Sequence, residues 1–173
     1  MTQYRFCPLC GGRLESRERG GLPRPTCPAC GFIHYRNPAV GVAVILVDDG
    51  RILLGRRSRG GYEGHWCIPC GYVEWGEDVR DAAHREFLEE TGLDVQIGPV
   101  CAVHSNFHNP NSLTVGIWFW GKTTGGKLHA GDDLDEVDYF PLSQPPQPMA
   151  FPTDLLVLQQ LRRQSVPGEG WPP

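Results

Sequence analysis

Between Gly71 and Leu93 the chain carries Glu86, Glu89 and Glu90 at i, i+3 and i+4, inside a segment with helical periodicity. On an α-helix these positions share a face, with Cβ atoms roughly 5–6 Å apart. Three like charges at that spacing repel one another, so helix stability alone does not account for them. A hard divalent cation relieves the repulsion, because Mg²⁺ takes a few carboxylate oxygens and keeps other positions for water and phosphate. The pattern points to metal-assisted attack of water on a phosphate ester or anhydride.

The same stretch resembles the box that defines the Nudix family, Gly-x5-Glu-x7-Arg-Glu-U-x-Glu-Glu-x-Gly-U, where U is bulky and apolar. Gly71, Glu77, Arg85, Glu86, Phe87, Glu89, Glu90, Gly92 and Leu93 each fill their place. An ordinary acidic helix face explains neither the flanking glycine nor the spacing to Glu77. The resemblance implies an α/β fold, a Nudix α/β/α sandwich with a mixed β-sheet. It also implies Glu86, Glu89 and Glu90 as ligands of Mg²⁺ or Mn²⁺, with the Gly71 carbonyl as a further ligand. Glu89 or Glu90 would accept the proton of the attacking water; Glu136, in the run Asp132–Glu136, is the candidate for a base recruited from a later loop. Arg85 and Glu77 would form a supporting pair that holds the carboxylates in place.

Seven cysteines are present. Cys7-Pro8-Leu9-Cys10 and Cys27-Pro28-Ala29-Cys30 are two CxxC knuckles at the spacing of a four-thiolate zinc ribbon. Gly11, Gly12 and Gly31 follow them and suit tight turns. The closed shell predicts a structural Zn²⁺ held by Cys7, Cys10, Cys27 and Cys30. A third CxxC, Cys67-Ile68-Pro69-Cys70, has no partner knuckle; it reads as a strand and turn beside the box, with Cys70 where the family usually has glycine.

The expected organisation is a ribbon over residues 1–36, a hydrolase domain over 37–164 and a disordered tail over 165–173. Ala39–Val47 and Arg51–Arg57 read as strands joined by an Asp-Gly turn. A helix is predicted over Asp78–Thr91, with Ala82, Ala83, Phe87 and Leu88 as its apolar stripe. Strands follow over Leu93–Phe107, Ser112–Thr123 and Glu136–Pro141, then a final helix over Thr153–Gln164 capped by Thr153. Arg56, Arg57 and Arg59 sit at a strand end, able to meet phosphates or to face solvent.

A formal charge of −4 argues against broad nucleic-acid binding. It leaves a small-molecule nucleotide as the expected partner, and family members are often homodimers. No apolar run approaches the roughly 20 residues that span a bilayer. The opening residues lack the apolar core of a signal peptide, and a cytoplasmic location is expected.

Nudix enzymes with a zinc ribbon include NADH pyrophosphatases, marked by a Trp-Pro-Phe-Pro core after the box. The matching region here, Ser105 to Ser112, lacks it. The resemblance therefore favours hydrolysis of a nucleoside diphosphate derivative such as ADP-ribose or FAD, with NADH and a non-catalytic nucleotide-binding regulator as alternatives. Phe107, Trp118 and Phe151 are candidates to stack on a base. His34, His65, His104, His108 and His129 form no metal spacing and read as polar surface or loop residues.

Overall fold

A computed structural model describes residues 4–163. The expected tail over 165–173 lies outside the described residues, as does Gln164. The chain divides into two compact units, Met1–Pro38 and Ala39–Pro173.

In the first unit a hairpin of β1 (Glu15–Arg19) and β2 (Leu22–Thr26) separates the two cysteine knuckles. Each knuckle closes through backbone bonds: Gly11 N–H to Cys7 C=O and Cys7 N–H to Gly12 C=O in one, Gly31 N–H to Cys27 C=O and Cys27 N–H to Phe32 C=O in the other.

The second unit begins with β3 (Ala39–Ile45), β4 (Val47–Asp48), β5 (Arg51–Arg57), β6 (Trp66–Cys67) and β7 (Cys70–Tyr72). Helix α1 (Val79–Thr91) follows, then β8 (Leu93–Asn106), β9 (Thr114–Gly126), β10 (Leu134–Pro141) and α2 (Pro152–Arg163). One sheet has the order β7-β3-β9-β8 and is mixed, since β3 runs parallel to β9 while the other pairs are antiparallel. A second, antiparallel sheet has the order β10-β5-β4, with β6 paired to β5.

The apolar run in β3 is continuous because both of its faces are covered. Val42 and Val44 pack with Phe119, Ala82, Ala83 and Phe87 on the α1 side. Ala43 and Ile45, one residue out of phase, pack with Trp118, Trp120, Val157, Leu158 and Leu161 on the α2 side. Period-two alternation thus sends successive residues into two cores, and helices close both faces. The arrangement is the mixed-sheet α/β/α sandwich expected.

Helix α1 begins where Asp78 caps it, its side chain accepting the Arg80 N–H, and ends at Gly92, which is left-handed at φ 69°. Leu88, expected in the apolar stripe, is 40% exposed. Ala83, Phe87 and Glu90 are i, i+4 and i+7, so the buried stripe continues through Glu90 instead. Helix α2 starts at Pro152, which places Thr153 inside the first turn rather than at the cap. Proline suits that first position because its missing N–H would have no helical partner. Among the described residues no helix is long and apolar enough to cross a membrane.

Candidate active site

Glycine at position 71 makes room for a box glutamate. A Cβ there would stand 2.0 Å from the Glu86 carboxyl carbon, so the Glu86 carboxylate occupies the space a side chain would fill. Glu90 sits one turn further along α1 and is 1% exposed; its Oε2 accepts the Cys70 N–H at 2.7 Å. The first residue of β7 therefore aims a backbone donor at a box glutamate, a contact that does not depend on the side chain at position 70.

Arg85 ties the rest together. Its Nε and Nη2 donate to both oxygens of Glu77 at 2.8 and 2.9 Å, and its Nη1 donates to Glu86 at 2.8 Å and Glu89 at 3.2 Å. Tyr72 C=O takes a further bond from Nη2. Held by this fork, the Glu77 carboxyl falls to about 2, the Arg85 hydrogen bonds being the main cause. Glu89 is half-exposed beyond the guanidinium.

Burial raises the Glu86 carboxyl against the opposing pull of Arg85. Burial, then the neighbouring Cys70 and Asp133, push Glu90 well above the ordinary carboxylate range. Glu86, Glu90, Asp132 and Asp133 line one cleft while Glu89 does not. Among the described residues only the four ribbon cysteines bring their ligand atoms within 4.8 Å of one another. The carboxylates thus offer oxygen donors of the kind a hard divalent cation takes without being gathered around one point.

The loop before β10 supplies Asp132 and Asp133, and both line the cleft. Three arginines at the end of β5 hold the acidic run: Arg57 to Asp133 at 2.6 Å, Arg59 to Asp132 at 2.9 Å, and Arg56 to Asp135 at 2.8 Å and Glu136 at 2.6 Å. Asp133 Oδ1 is buried without a partner. Glu136, expected as the later carboxylate, does not line the cleft. It sits in β10 opposite Arg56, and the strand register directs it to that arginine. All three arginines are engaged by carboxylates, and of the three Arg57 lines the cleft.

The cleft measures about 430 Å³. Away from the glutamates its wall is an aromatic triad. Tyr62, His108 and Phe151 meet at ring-centroid distances of 5.3–6.0 Å, and the Arg57 guanidinium lies 5.7 Å from the Phe151 ring. Asn106 Oδ1 and Thr153 Oγ1, buried and without partners, belong to residues lining the same cleft. Asp154 beside them is 1% exposed and accepts the Ile68 N–H at 3.0 Å and the Trp118 indole N–H at 3.2 Å. Burial pushes its carboxyl up to about 7. Of the three aromatics singled out in the sequence, Phe151 and Trp118 line the cleft, while Phe107 is 73% exposed and does not. His108 is the exposed loop residue expected, although it also lines the cleft, while Tyr62 and Asp154 are not anticipated from the sequence. Each lies outside the box, and only the α2 position of Asp154, polar within an apolar helix pattern, signals anything.

In the first unit the four cysteine sulfurs lie within 4.8 Å of one another, with Cys7–Cys30, Cys10–Cys27 and Cys10–Cys30 at 3.6, 3.5 and 3.4 Å. Four sulfurs at about 2.3 Å from a tetrahedral Zn²⁺ stand about 3.8 Å apart, so the set fits that ion. The Cys30 backbone N–H holds the Cys27 thiol down to about 7, while Cys10 and Cys30, crowded by the other sulfurs, are raised.

A family model described as NUDIX domain matches residues 35–161, and a zinc-ribbon model described as Nudix N-terminal matches residues 5–36. The chain belongs to the Nudix hydrolase family. Its Nudix relatives include an ADP-ribose pyrophosphatase of Methanocaldococcus jannaschii, 36% identical over 129 residues that cover 74% of this chain and 76% of that one. The NAD-capped RNA hydrolase NudC of Stutzerimonas stutzeri is 30% identical over 147 residues, covering 84% of this chain but 51% of that protein. This chain thus spans about half the length of that second relative. A solved Nudix hydrolase from Nitrosomonas europaea superposes with a TM-score of 0.82 at 33% identity, covering 93% and 92% of the two chains. The ribbon and the sandwich are therefore both Nudix modules, and the enzyme class is a Nudix pyrophosphohydrolase.

Proposed function

We propose that this Nudix hydrolase cleaves the pyrophosphate bond of a nucleoside diphosphate derivative, with ADP-ribose or FAD as substrate and AMP as a product. The observation that carries the reading is the joining of two chemistries in one cleft. Buried carboxylates of the box line one part, and the Tyr62–His108–Phe151 triad lines another. A diphosphate joined to a ring system needs both. Unpartnered Asn106 Oδ1 and Thr153 Oγ1 offer hydrogen bonds to polar groups of the base or ribose. The Methanocaldococcus relative, named an ADP-ribose pyrophosphatase, agrees with this substrate class.

Glu86, Glu89 and Glu90, with the Gly71 carbonyl, would hold Mg²⁺ or Mn²⁺, which when bound offsets phosphate charge and lowers the pKa of water. Glu77 and Arg85 position Glu86 and Glu89. Buried Glu90, fixed by the Cys70 N–H, suits a ligand. Asp133, which lines the cleft beside Glu90, joins Glu136 as a candidate for the later-loop carboxylate able to accept a proton. Arg57 faces the phosphates from the cleft wall. The Zn²⁺ of Cys7, Cys10, Cys27 and Cys30 is structural, in a ribbon over 1–36 that precedes a hydrolase domain over 37–164.

The test is kcat/KM for ADP-ribose, FAD, NADH, diadenosine polyphosphates and oxidised nucleoside triphosphates with either metal. ADP-ribose or FAD should lead, and absence of hydrolysis of both would remove the proposal. A second reading, cleavage of an NADH-type dinucleotide, is favoured by the Stutzerimonas relative, and NADH leading the panel would select it.

A further inference from the structure

The formal charge of −4 conceals a segregation. Residues 1–38 carry Arg5, Arg13, Arg17, Arg19, Arg24 and Arg36 against Glu15 and Glu18, a formal +4, while the remainder of the chain carries −8. Four thiolates on one Zn²⁺ would leave the ribbon still positive, at about +2.

The arginines are gathered on one face of the hairpin. Arg17 stands directly opposite Arg24 across the β1–β2 ladder, and Arg19 opposite Leu22. Alternation puts Arg17, Arg19 and Arg24 on the same side, with Glu15 as the one acidic strand residue among them. Like charges paired across strands destabilise a hairpin, and the exposed Arg17–Glu15 pair at 2.9 Å offsets little of that. Within the hairpin the Arg24 Nε donates to the Arg19 C=O at 3.1 Å, which offsets part of the repulsion; binding to a polyanion offsets the rest.

Exposed aromatic rings accompany the charges. The Arg24 guanidinium lies 4.8 Å from the Tyr35 ring, and Tyr35 is 55% exposed. Phe6, 62% exposed, is bridged to Arg13 across the base of the first knuckle. Arginines track a phosphodiester backbone, and exposed rings and guanidinium planes stack on unpaired bases. A duplex hides its bases from such rings.

We propose that the Arg17–Arg19–Arg24 face of the ribbon, with Tyr35 beside it, binds single-stranded RNA. Overall charge, on which the opposite expectation rests, averages a basic module with an acidic one. The acidic remainder limits binding to the ribbon.

The test is fluorescence anisotropy of the zinc-loaded full chain with a labelled, unstructured RNA of twelve nucleotides. Three neutralised phosphates predict a slope of about −2 for log affinity against log salt, or about 15-fold weaker binding from 50 to 200 mM. Arg17→Gln/Arg19→Gln/Arg24→Gln should weaken binding at least tenfold and flatten the slope. Tyr35→Ala should weaken it about fivefold or more with the slope kept. Both variants should retain one zinc per chain and hydrolyse the free small-molecule substrate as before. If the triple variant loses zinc, Arg17→Gln alone and Tyr35→Ala must still move in these directions. Undetectable or salt-independent binding, or unchanged affinity in the variants, would overturn the proposal. So would equal affinity for duplex RNA, single-stranded DNA or polyglutamate.

Discussion

The Glu86 carboxyl carbon stands 2.0 Å from where a Cβ on Gly71 would lie. The obstacle to a side chain at 71 is thus the tip of a flexible residue that can swing away, not the backbone. Gly71→Ala should fold with a melting temperature within a few degrees of the parent. Turnover should nevertheless fall at least about 100-fold, because a displacement of about 1 Å in a reacting constellation costs that much. Measuring kcat at saturating metal alongside thermal denaturation checks it; full activity would remove Glu86 from the proposed metal site.

Arg85→Lys keeps the charge but loses the fork that serves Glu77, Glu86 and Glu89 together. The metal concentration needed for half-maximal rate should rise 10- to 100-fold. A metal titration of activity reads this directly, and a normal titration would reduce Arg85 to a surface charge.

Asp133 and Glu136 are separable by mutation. Asp133→Asn should cut kcat by about 100-fold or more, in the range for loss of an acid–base group. Glu136→Gln, affecting an exposed pair with Arg56, should stay within about threefold. The opposite ranking would select Glu136.

For the box itself, Glu89→Gln and Glu90→Gln should each lower turnover by orders of magnitude with the fold intact by circular dichroism. Unchanged hydrolysis in both would sink the catalytic assignment.

Asp154 gives a pH signature. Its folded carboxyl titrates at about 7 against an unperturbed 3.8, so the folded state holds the extra proton between those values. Its contribution to stability is full below about pH 4 and is lost as pH rises toward and through 7, by up to roughly 4 kcal/mol. Asp154→Asn removes that titration. The stability of the parent relative to this variant should therefore fall between pH 4 and 8, followed by Trp118 fluorescence in denaturant. A difference that does not change with pH would refute the raised pKa.

Much of this was readable from local spacing. Asp78 and Gly92 marked the ends of α1, Arg51–Arg57 read as a strand with its observed bounds, and the glutamates fell on their helix by period. Leu88 and Glu90 show where local reading failed. Hydrophobicity placed Leu88 inside, but helical phase set by Ala83 and Phe87 turned Glu90 inward instead. Glu136 shows another limit: which carboxylate of a run faces a cleft depends on strand register against β5, and that register, a non-local pairing, sets Glu136 opposite Arg56.

The sequence by itself determined the chemistry class, the two cysteine knuckles and the helix that bears the glutamates, because each is written within one turn, one knuckle or one helical period. Only tertiary structure decided the rest. Tyr62, His108 and Phe151 come from separate loops and meet when the sheets pack. Asp133 faces the cleft because Arg57 holds it there, and Asp154 is buried because Trp118 and Ile68 supply its hydrogen bonds. Spacing along a chain specifies neighbours within an element, whereas a substrate pocket is made of residues that are neighbours only after the elements assemble.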